Sequence, residues 1–388
     1  MNDQKRFLVL GTSRSGGDWP PSVSVAQGLR ARGHALRYFA DATIQSAVQH
    51  LDIPVVVPAP DRELAAYLAP WLARVRKGEV PLEWMDRDSP LTAWSRDNLS
   101  VVSELVEQFR PDLILSQFAC IEFAARLANA THLPWCYVNP GVYFGPGARD
   151  PELDYDVLTR FLIRIFQPLL ESAALVLHGT DPVFDPPPAH LPPSHHYVGP
   201  LLWEPPAACP PYLAEPGEPW VLVTLSSSPQ AGEMALARSA LRALSAYPVR
   251  VLLTVSEAHP RDALGPLPAN ARVESFVPHS QVLQRACLSM SHAGHGIVAR
   301  SLYYGVPMVL VPWGRDQPGV AFRAARVGTA EVVTRATLTD ERLGAAIGKV
   351  LATPSYQQEA ARFAERLQAQ DAIGTACTLI EGFLADGV

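Results

Sequence analysis

The sequence has no apolar run approaching the roughly 18 uninterrupted residues that a membrane-spanning helix requires. It also lacks any basic block of five or more, so no nucleic-acid footprint is indicated. Cysteine is scarce. The five (Cys120, Cys136, Cys209, Cys287 and Cys377) are scattered, odd in number and without metal or disulfide spacing, which suits a reduced, cytoplasmic setting. Charged residues make up only 18% of the 388, against 48% hydrophobic, with a net charge of −6. Such a chain is too apolar for general disorder and can bury a large core, and its length favours two domains over one. The apolar run in "MNDQKRFLVLGTSRSGG" is too short for a signal peptide.

Short β-rich apolar runs alternate with helix-length segments almost throughout. Strands are expected at 6–11, 35–40, 111–117, 134–140 and 174–179, with helices over 21–33, around 120–130 and around 153–172. The 37 prolines are unevenly placed. Residues 182–218 are crowded with them, which rules out a long helix or an inner strand there. This stretch is too apolar for a loose tether and reads as a semi-rigid connection. The alternation then restarts, with strands expected at 219–226, 249–255, 271–276, 287–292, 307–313 and 330–335. Helices are expected at 232–246 and, at the end of the chain, near 339–351, 355–368 and 372–385. Strands without period-2 alternation, separated by helices, imply parallel sheets covered on both faces. The expected fold class is therefore α/β, with two doubly wound parallel-sheet domains in tandem. The first spans 1–200, a Pro-rich linker 201–218, the second domain 219–370, and a final helical segment 371–388.

The segment "ACLSMSHAGHGIVARSLYYGVPMVLVPWGRDQ" (286–317) carries the clearest chemistry. In open parallel sheets, ligands bind beyond the carboxyl ends of the strands. "CLSMSH" ends there, and "AGHG" turns the chain into a helix beginning near Gly296, whose free N–H groups and dipole suit phosphate. Gly294 and Gly296 allow positive φ and close backbone approach. His292 adds a donor that can be charged near neutral pH, or is simply a hydrogen-bonded turn residue. The next strand delivers Asp316 and Gln317, a carboxylate and an amide able to take a pair of sugar hydroxyls, although Asp316 also suits an N-cap before Pro318. Diphosphate at one strand end and a polyol at the next describe a nucleotide-sugar.

Taken in order, "FVPH" (276–279), "SHAGHG" (291–296), "GVPMVLVPWGRDQP" (305–318) and "AARVG" (324–328) resemble the donor-binding signature of family 1 glycosyltransferases, nucleotide-sugar-dependent enzymes of the GT-B fold. The similarity continues over both domains and is weaker in the first. It implies two Rossmann-like domains facing a cleft, with the last helix (372–385) crossing back to the first domain. By that resemblance, His292 and the amides of Gly294, Gly296 and Ile297 hold the diphosphate, and Asp316 and Gln317 bind the sugar. Phe276, Val277 and Pro278 line the base pocket, and Ser227 lies near the phosphates, with Ser226 replacing the usual glycine.

In the first domain, "GDWPP" (17–21) is similar to the Gly-Asp-x-x-Pro turn of sterol and glycopeptide glycosyltransferases, which makes Asp18 the candidate catalytic base. Many relatives use a His there, paired with an Asp whose counterpart here is Gln117. Asp18 equally suits a helix cap before Pro20–Pro21. Trp19 and Gln117 are the candidate acceptor-side residues, and 61–95 with 140–150 are expected to shape the acceptor pocket. The resulting expectation is an inverting glycosyltransferase moving a hexose from a UDP- or dTDP-sugar to a hydroxyl of a small hydrophobic acceptor such as a polyketide, flavonoid or sterol. It would have no cofactor beyond that co-substrate, no metal, and no nucleic-acid or integral membrane partner. C-glycosyl transfer to a phenol, or a non-catalytic or epimerase-like nucleotide-sugar-binding role, stays open at this point.

Overall fold

The computed structural model describes residues 4–76, 89–144, 157–227 and 229–386. The expected helical start at 153–156, and the parts of the expected acceptor region at 77–88 and 145–150, lie outside the described residues.

The first sheet is parallel throughout. Its strands are β1 (Arg6–Leu10), β2 (Ala35–Phe39), β3 (Val55–Val56), β4 (Leu113–Ser116), β5 (Trp135–Asn139), β6 (Leu175–His178) and β7 (His195–Tyr197), in the order β3-β2-β1-β4-β5-β6-β7. The second sheet comprises β8 (Trp220–Thr224), β9 (Arg250–Thr254), β10 (Ala271–Glu274), β11 (Ala286–Ser291), β12 (Met308–Leu310) and β13 (Ala330–Val332), in the order β10-β9-β8-β11-β12-β13. Each order reverses beside its first strand, which places a crevice beyond β1 and β4 in one domain and beyond β8 and β11 in the other.

The connecting helices of the first domain are α1 (Pro20–Ala31), α2 (Ala42–Val48), α3 (Leu64–Arg76), α4 (Pro90–Phe109), α5 (Ile121–Thr131) and α6 (Val157–Leu170). The second has α7 (Met234–Leu244), α8 (His279–Leu283), α9 (His295–Tyr303), α10 (Gln317–Arg326), α11 (Asp340–Ala352) and α12 (Pro354–Gln368), and α13 (Ala372–Ala385) ends the chain. The central strands are buried on both faces, as β1, β4, β5, β6 and β8 show by their near-continuous burial. Their Val, Ile and Leu side chains contribute about 1.5–3 kcal/mol each when removed from water.

Two strands were not legible beforehand. β3 is two residues long, and β7 lies inside the Pro-rich stretch. β7 obeys the proline restriction all the same, because it is short and sits at the sheet edge. The same stretch is anchored at both ends. Leu201 and Trp203 pack in the first-domain core, and Leu213 packs with Trp220 and Leu222 of the second.

The two sheets are joined by a buried seam. Val142 and Phe184 of the first domain share an apolar cluster with Ala293, Val298, Leu302 and Leu310 of the second. A buried ion pair, Arg323 Nε to Asp185 Oδ1 at 2.7 Å, lies beside it. Arg326 donates to the carbonyls of Val183 and Phe184 at 2.7 and 2.9 Å. Arg366 pairs with Asp181 at 2.8 Å. Helix α13 lies on α1, with Ala372, Ala376, Cys377 and Ile380 in the first-domain core. The contact needs the missing side chain of Gly28, since a Cβ there would stand 2.5 Å from Ile373 Cγ2 and 2.8 Å from Cys377 Sγ.

Candidate active site

The second domain's crevice is built from the loops after β8, β9, β11 and β12. β8 ends at Thr224, and Ser226 behind it is buried, whereas Ser227 is exposed toward the crevice. The Ser226 amide donates to Glu233 Oε1, and the Gln230 amide donates to Glu233 Oε2 at 2.9 Å, so one fully buried carboxylate holds both Ser226 and Gln230.

After β11 the chain turns through Ala293, whose φ is +66°, into α9. This revises the expected use of the glycines. Gly294 has φ −62° and caps α9, and the left-handed step falls on Ala293 instead. What Gly294 supplies is space, because a Cβ would stand 2.6 Å from His292 Nε2. Gly296 lies within the helix, next to Arg300 Nη1. Helix α9 starts at His295, not Gly296, and directs its N-terminal amides, those of Gly296 and Ile297 included, toward the crevice.

His292 is almost fully buried, with Nδ1 3.9 Å from Glu233 Oε1. Burial above all, then the Arg315 charge, push its pKa down to about 4, partly opposed by the Thr224 carbonyl. At neutral pH this leaves His292 a neutral imidazole. His295, equivalent to His292 in the bare sequence, does something else. It faces the Pro140 carbonyl and the Phe184 ring, both in the first domain, and burial holds it neutral with a pKa near 4. It belongs to the seam.

Asp316 occupies the N-cap position of α10, yet its side chain makes no capping hydrogen bond to that helix. Its Oδ2 lies 3.5 Å from the point a Cβ would occupy on Gly141, across the seam. Gln317 is buried and accepts at Oε1 from the amides of Trp313 and Gly314, at 2.8 and 3.0 Å. That carbonyl is committed to the 313–316 turn, so only the Gln317 amide nitrogen is left to meet a hydroxyl. Phe276 exposes 54% of its surface, Val277 is in the core with Ile297, and Pro278 precedes α8. Of the three expected base-pocket residues, Phe276 alone presents its side chain outward.

On the first-domain side, the N-cap of α1 is Trp19, with Asp18 one residue ahead of it. The Trp19 carbonyl starts the helix by accepting from the amides of Ser22 and Val23. The Trp19 ring packs on Trp203 at 5.4 Å between centroids and against the first-domain core, which gives it a packing role. Gln117 does not reach an acceptor. It is fully buried and donates from Nε2 to the Thr12 carbonyl at 2.6 Å, fixing the loop that leads to Asp18.

Four features of the site had escaped the sequence reading. Tyr137, fully buried, has its pKa raised well above the ordinary range by burial first and then by both Asp18 and Asp316. The charges of two carboxylates from opposite domains thus both disfavour ionisation of one hydroxyl. That hydroxyl donates to Asn139 Oδ1 at 3.2 Å, which also accepts from the Gly141 amide at 3.1 Å. Asn139 Nδ2 then donates to His178 Nδ1 at 2.9 Å, so His178 carries its proton on Nε2 and donates it to His195 Nδ1 at 3.1 Å. This chain fixes the 139–142 turn that faces Asp316. The remaining two features are Arg315, at φ +59° beside His292, and the buried Glu233. Arg315 lies within the quoted donor segment but was given no role there, and Glu233 lies outside it.

Residues 238–375 match the family described as the C-terminal domain of erythromycin biosynthesis protein CIII-like proteins. The 4'-demethylrebeccamycin synthase of Lentzea aerocolonigenes is 33% identical over 223 residues, covering 56% of this chain and 52% of that protein. The O-mycaminosyltylonolide 6-deoxyallosyltransferase of Streptomyces fradiae is 26% identical over 418 aligned positions, covering 96% of each. The glycosyltransferase of kitacinnamycin superposes with a TM-score of 0.77 at 22% identity, over 98% of this chain and 100% of that one. A glycosyltransferase solved in complex with dTDP gives 0.70 at 21%, over 98% and 100%. The chain thus spans about half of the first relative and nearly all of the second. It has the GT-B fold that these solved glycosyltransferases share.

Proposed function

We propose that the protein is an inverting glycosyltransferase that moves a hexose from a dTDP- or UDP-sugar to a hydroxyl of a small, hydrophobic natural-product acceptor. One observation carries the reading: Asp18 and Asp316, from opposite domains, act on the same buried Tyr137 hydroxyl. In this reading Asp18 is the carboxylate that removes the proton and Asp316 the one that takes sugar hydroxyls. The solved neighbour that holds dTDP supports a thymidine donor, and the synthase and deoxyallosyltransferase named above support a natural-product acceptor.

In this reading the acceptor oxygen attacks the anomeric carbon in line with the departing diphosphate, and its proton passes to Asp18 as the new bond forms. A carboxylate is a weak base for an alcohol, so the seam must exclude water to strengthen it. The bond to the diphosphate breaks, and the released charge is met by the α9 amides of Gly296 and Ile297 and by the His292 side, with Ser227 opposite. Asp316 and the Gln317 amide nitrogen hold the sugar so that its anomeric carbon faces Asp18.

The test is incubation of the full chain with dTDP-glucose and UDP-glucose against macrolide, indolocarbazole, flavonoid and sterol acceptors, read by mass spectrometry. A gain of one hexose on at least one acceptor is expected. No product from any pair, together with no calorimetric binding of either nucleotide-sugar, overturns the reading.

A further inference from the structure

Around Glu233 lies a buried cluster with unused hydrogen-bonding capacity. Glu233 is fully buried, and both its oxygens already accept backbone amides, those of Ser226 and Gln230. Two imidazoles flank it just beyond hydrogen-bond range, His259 Nε2 at 3.7 Å and His292 Nδ1 at 3.9 Å. Both of these nitrogens, and the Gln230 side-chain nitrogen, are buried without a hydrogen-bond partner among the described residues. His259 is held from its other side by Ser256 Oγ at 2.9 Å. A buried polar atom with no partner costs about 1–3 kcal/mol, so three together call for an explanation.

The explanation lies in charge. An arriving diphosphate brings negative charge to a turn whose floor is already a carboxylate. A neutral imidazole can donate from one nitrogen only, yet the His292 ring has a carboxylate and the Thr224 carbonyl both beside it. We propose that Glu233 makes His292 a proton-accepting partner of the donor diphosphate, so that a nucleotide-sugar binds together with one proton taken up by His292. Glu233 is then a positioning residue, which holds the turn and steadies the imidazolium. The inference rests on the donor reading above.

The other charged and titratable groups facing His292 are Arg315, His259 and His279, each of which disfavours its protonated form. His279 is itself backed by Glu204 and Arg300. In the empty site these, with burial, keep His292 neutral. The incoming anion reverses the balance, because a negative charge within a few ångströms favours the protonated ring. Since the bound state holds the extra proton, affinity rises as pH falls.

The experiment is calorimetry of the full chain with dTDP-glucose and UDP-glucose at one pH near 7.5, in buffers of low and high ionisation enthalpy. In an intact nucleotide-sugar the terminal phosphate is esterified, so the ligand contributes no proton of its own in this range. The expected result is an observed heat that changes with the buffer in the sense of uptake of about one proton, and an affinity falling up to about tenfold per pH unit above neutrality. His292→Gln keeps a neutral donor but takes no proton, and its uptake should vanish while weaker binding persists. Equal heats in both buffers for the unmodified protein overturn the inference while leaving the donor reading intact. Undiminished uptake in His292→Gln moves the proton elsewhere and also overturns it. Binding of neither probe overturns the donor reading itself, and this inference with it.

Discussion

The two domains share one strand order, and each carries a buried polar cluster near the cleft, but the clusters differ in charge. In the first, Asn139, His178 and His195 form a chain of neutral groups, with the His178 pKa pushed to about 3 and that of His195 to about 4, by burial first and then by neighbouring imidazoles. In the second, imidazoles surround the carboxylate of Glu233. A neutral cluster whose members are all paired fixes a turn, here the one that carries Gly141 to Asp316. A cluster with a carboxylate and unpaired nitrogens can respond to an arriving charge. The same topology thus provides a rigid wall on one side of the cleft and a responsive one on the other.

The largest expected effect lies at the candidate base between the two walls. Asp18→Asn should lower kcat by about 10²–10⁴-fold, the usual contribution of a positioned base, with donor affinity near normal. Steady-state kinetics and nucleotide-sugar calorimetry together check this, and unchanged turnover would confine Asp18 to a structural part in the turn before α1.

Next in size is the seam. Arg323→Ala leaves Asp185 buried without its cation and should cost about 3–5 kcal/mol of stability, measurable by urea unfolding. A loss below 1 kcal/mol would show that Arg326 and Arg366 hold the domains without it.

The smallest effect is the pH response of the neutral wall. The folded pKa values of His178 and His195 lie below the ordinary value of about 6.5, so the unfolded chain binds more protons between them. The stability that this neutral pair contributes is full above pH ~6.5 and lost as pH falls toward 4. At pH 5.5 the loss should be about 1 kcal/mol per histidine. His195→Gln should flatten the stability-versus-pH slope in that window, and an unaltered slope would mean that the cluster is not neutral.

The donor segment was readable because its parts are contiguous. His292, Gly294, Ile297, Asp316 and Gln317 all fall within one strand–helix–strand unit, and local turn rules fix where such residues go. Gln117 was misread as acceptor-facing because a strand-end amide can point either way, and the Thr12 carbonyl decided it. That Trp19 packs on Trp203, more than 180 positions away in the chain, was likewise beyond local pattern. Tyr137 reads in isolation as one more apolar strand residue in "PWCYVNP". Its meaning appears only where Asp18 and Asp316 meet it.

The sequence by itself determined the two parallel sheets, the crevices beyond their strand ends and the donor motif, because these follow from apolar runs, glycine and proline placement, and local helix and strand geometry. Tertiary structure alone decided that His295 serves the seam while His292 lies beside Glu233, that Ala293 and not Gly294 takes the left-handed turn, and that Glu233 lies near both His259 and His292. Each of these depends on which side chains from distant segments share one buried space, and burial and charge act through space without regard to distance along the chain.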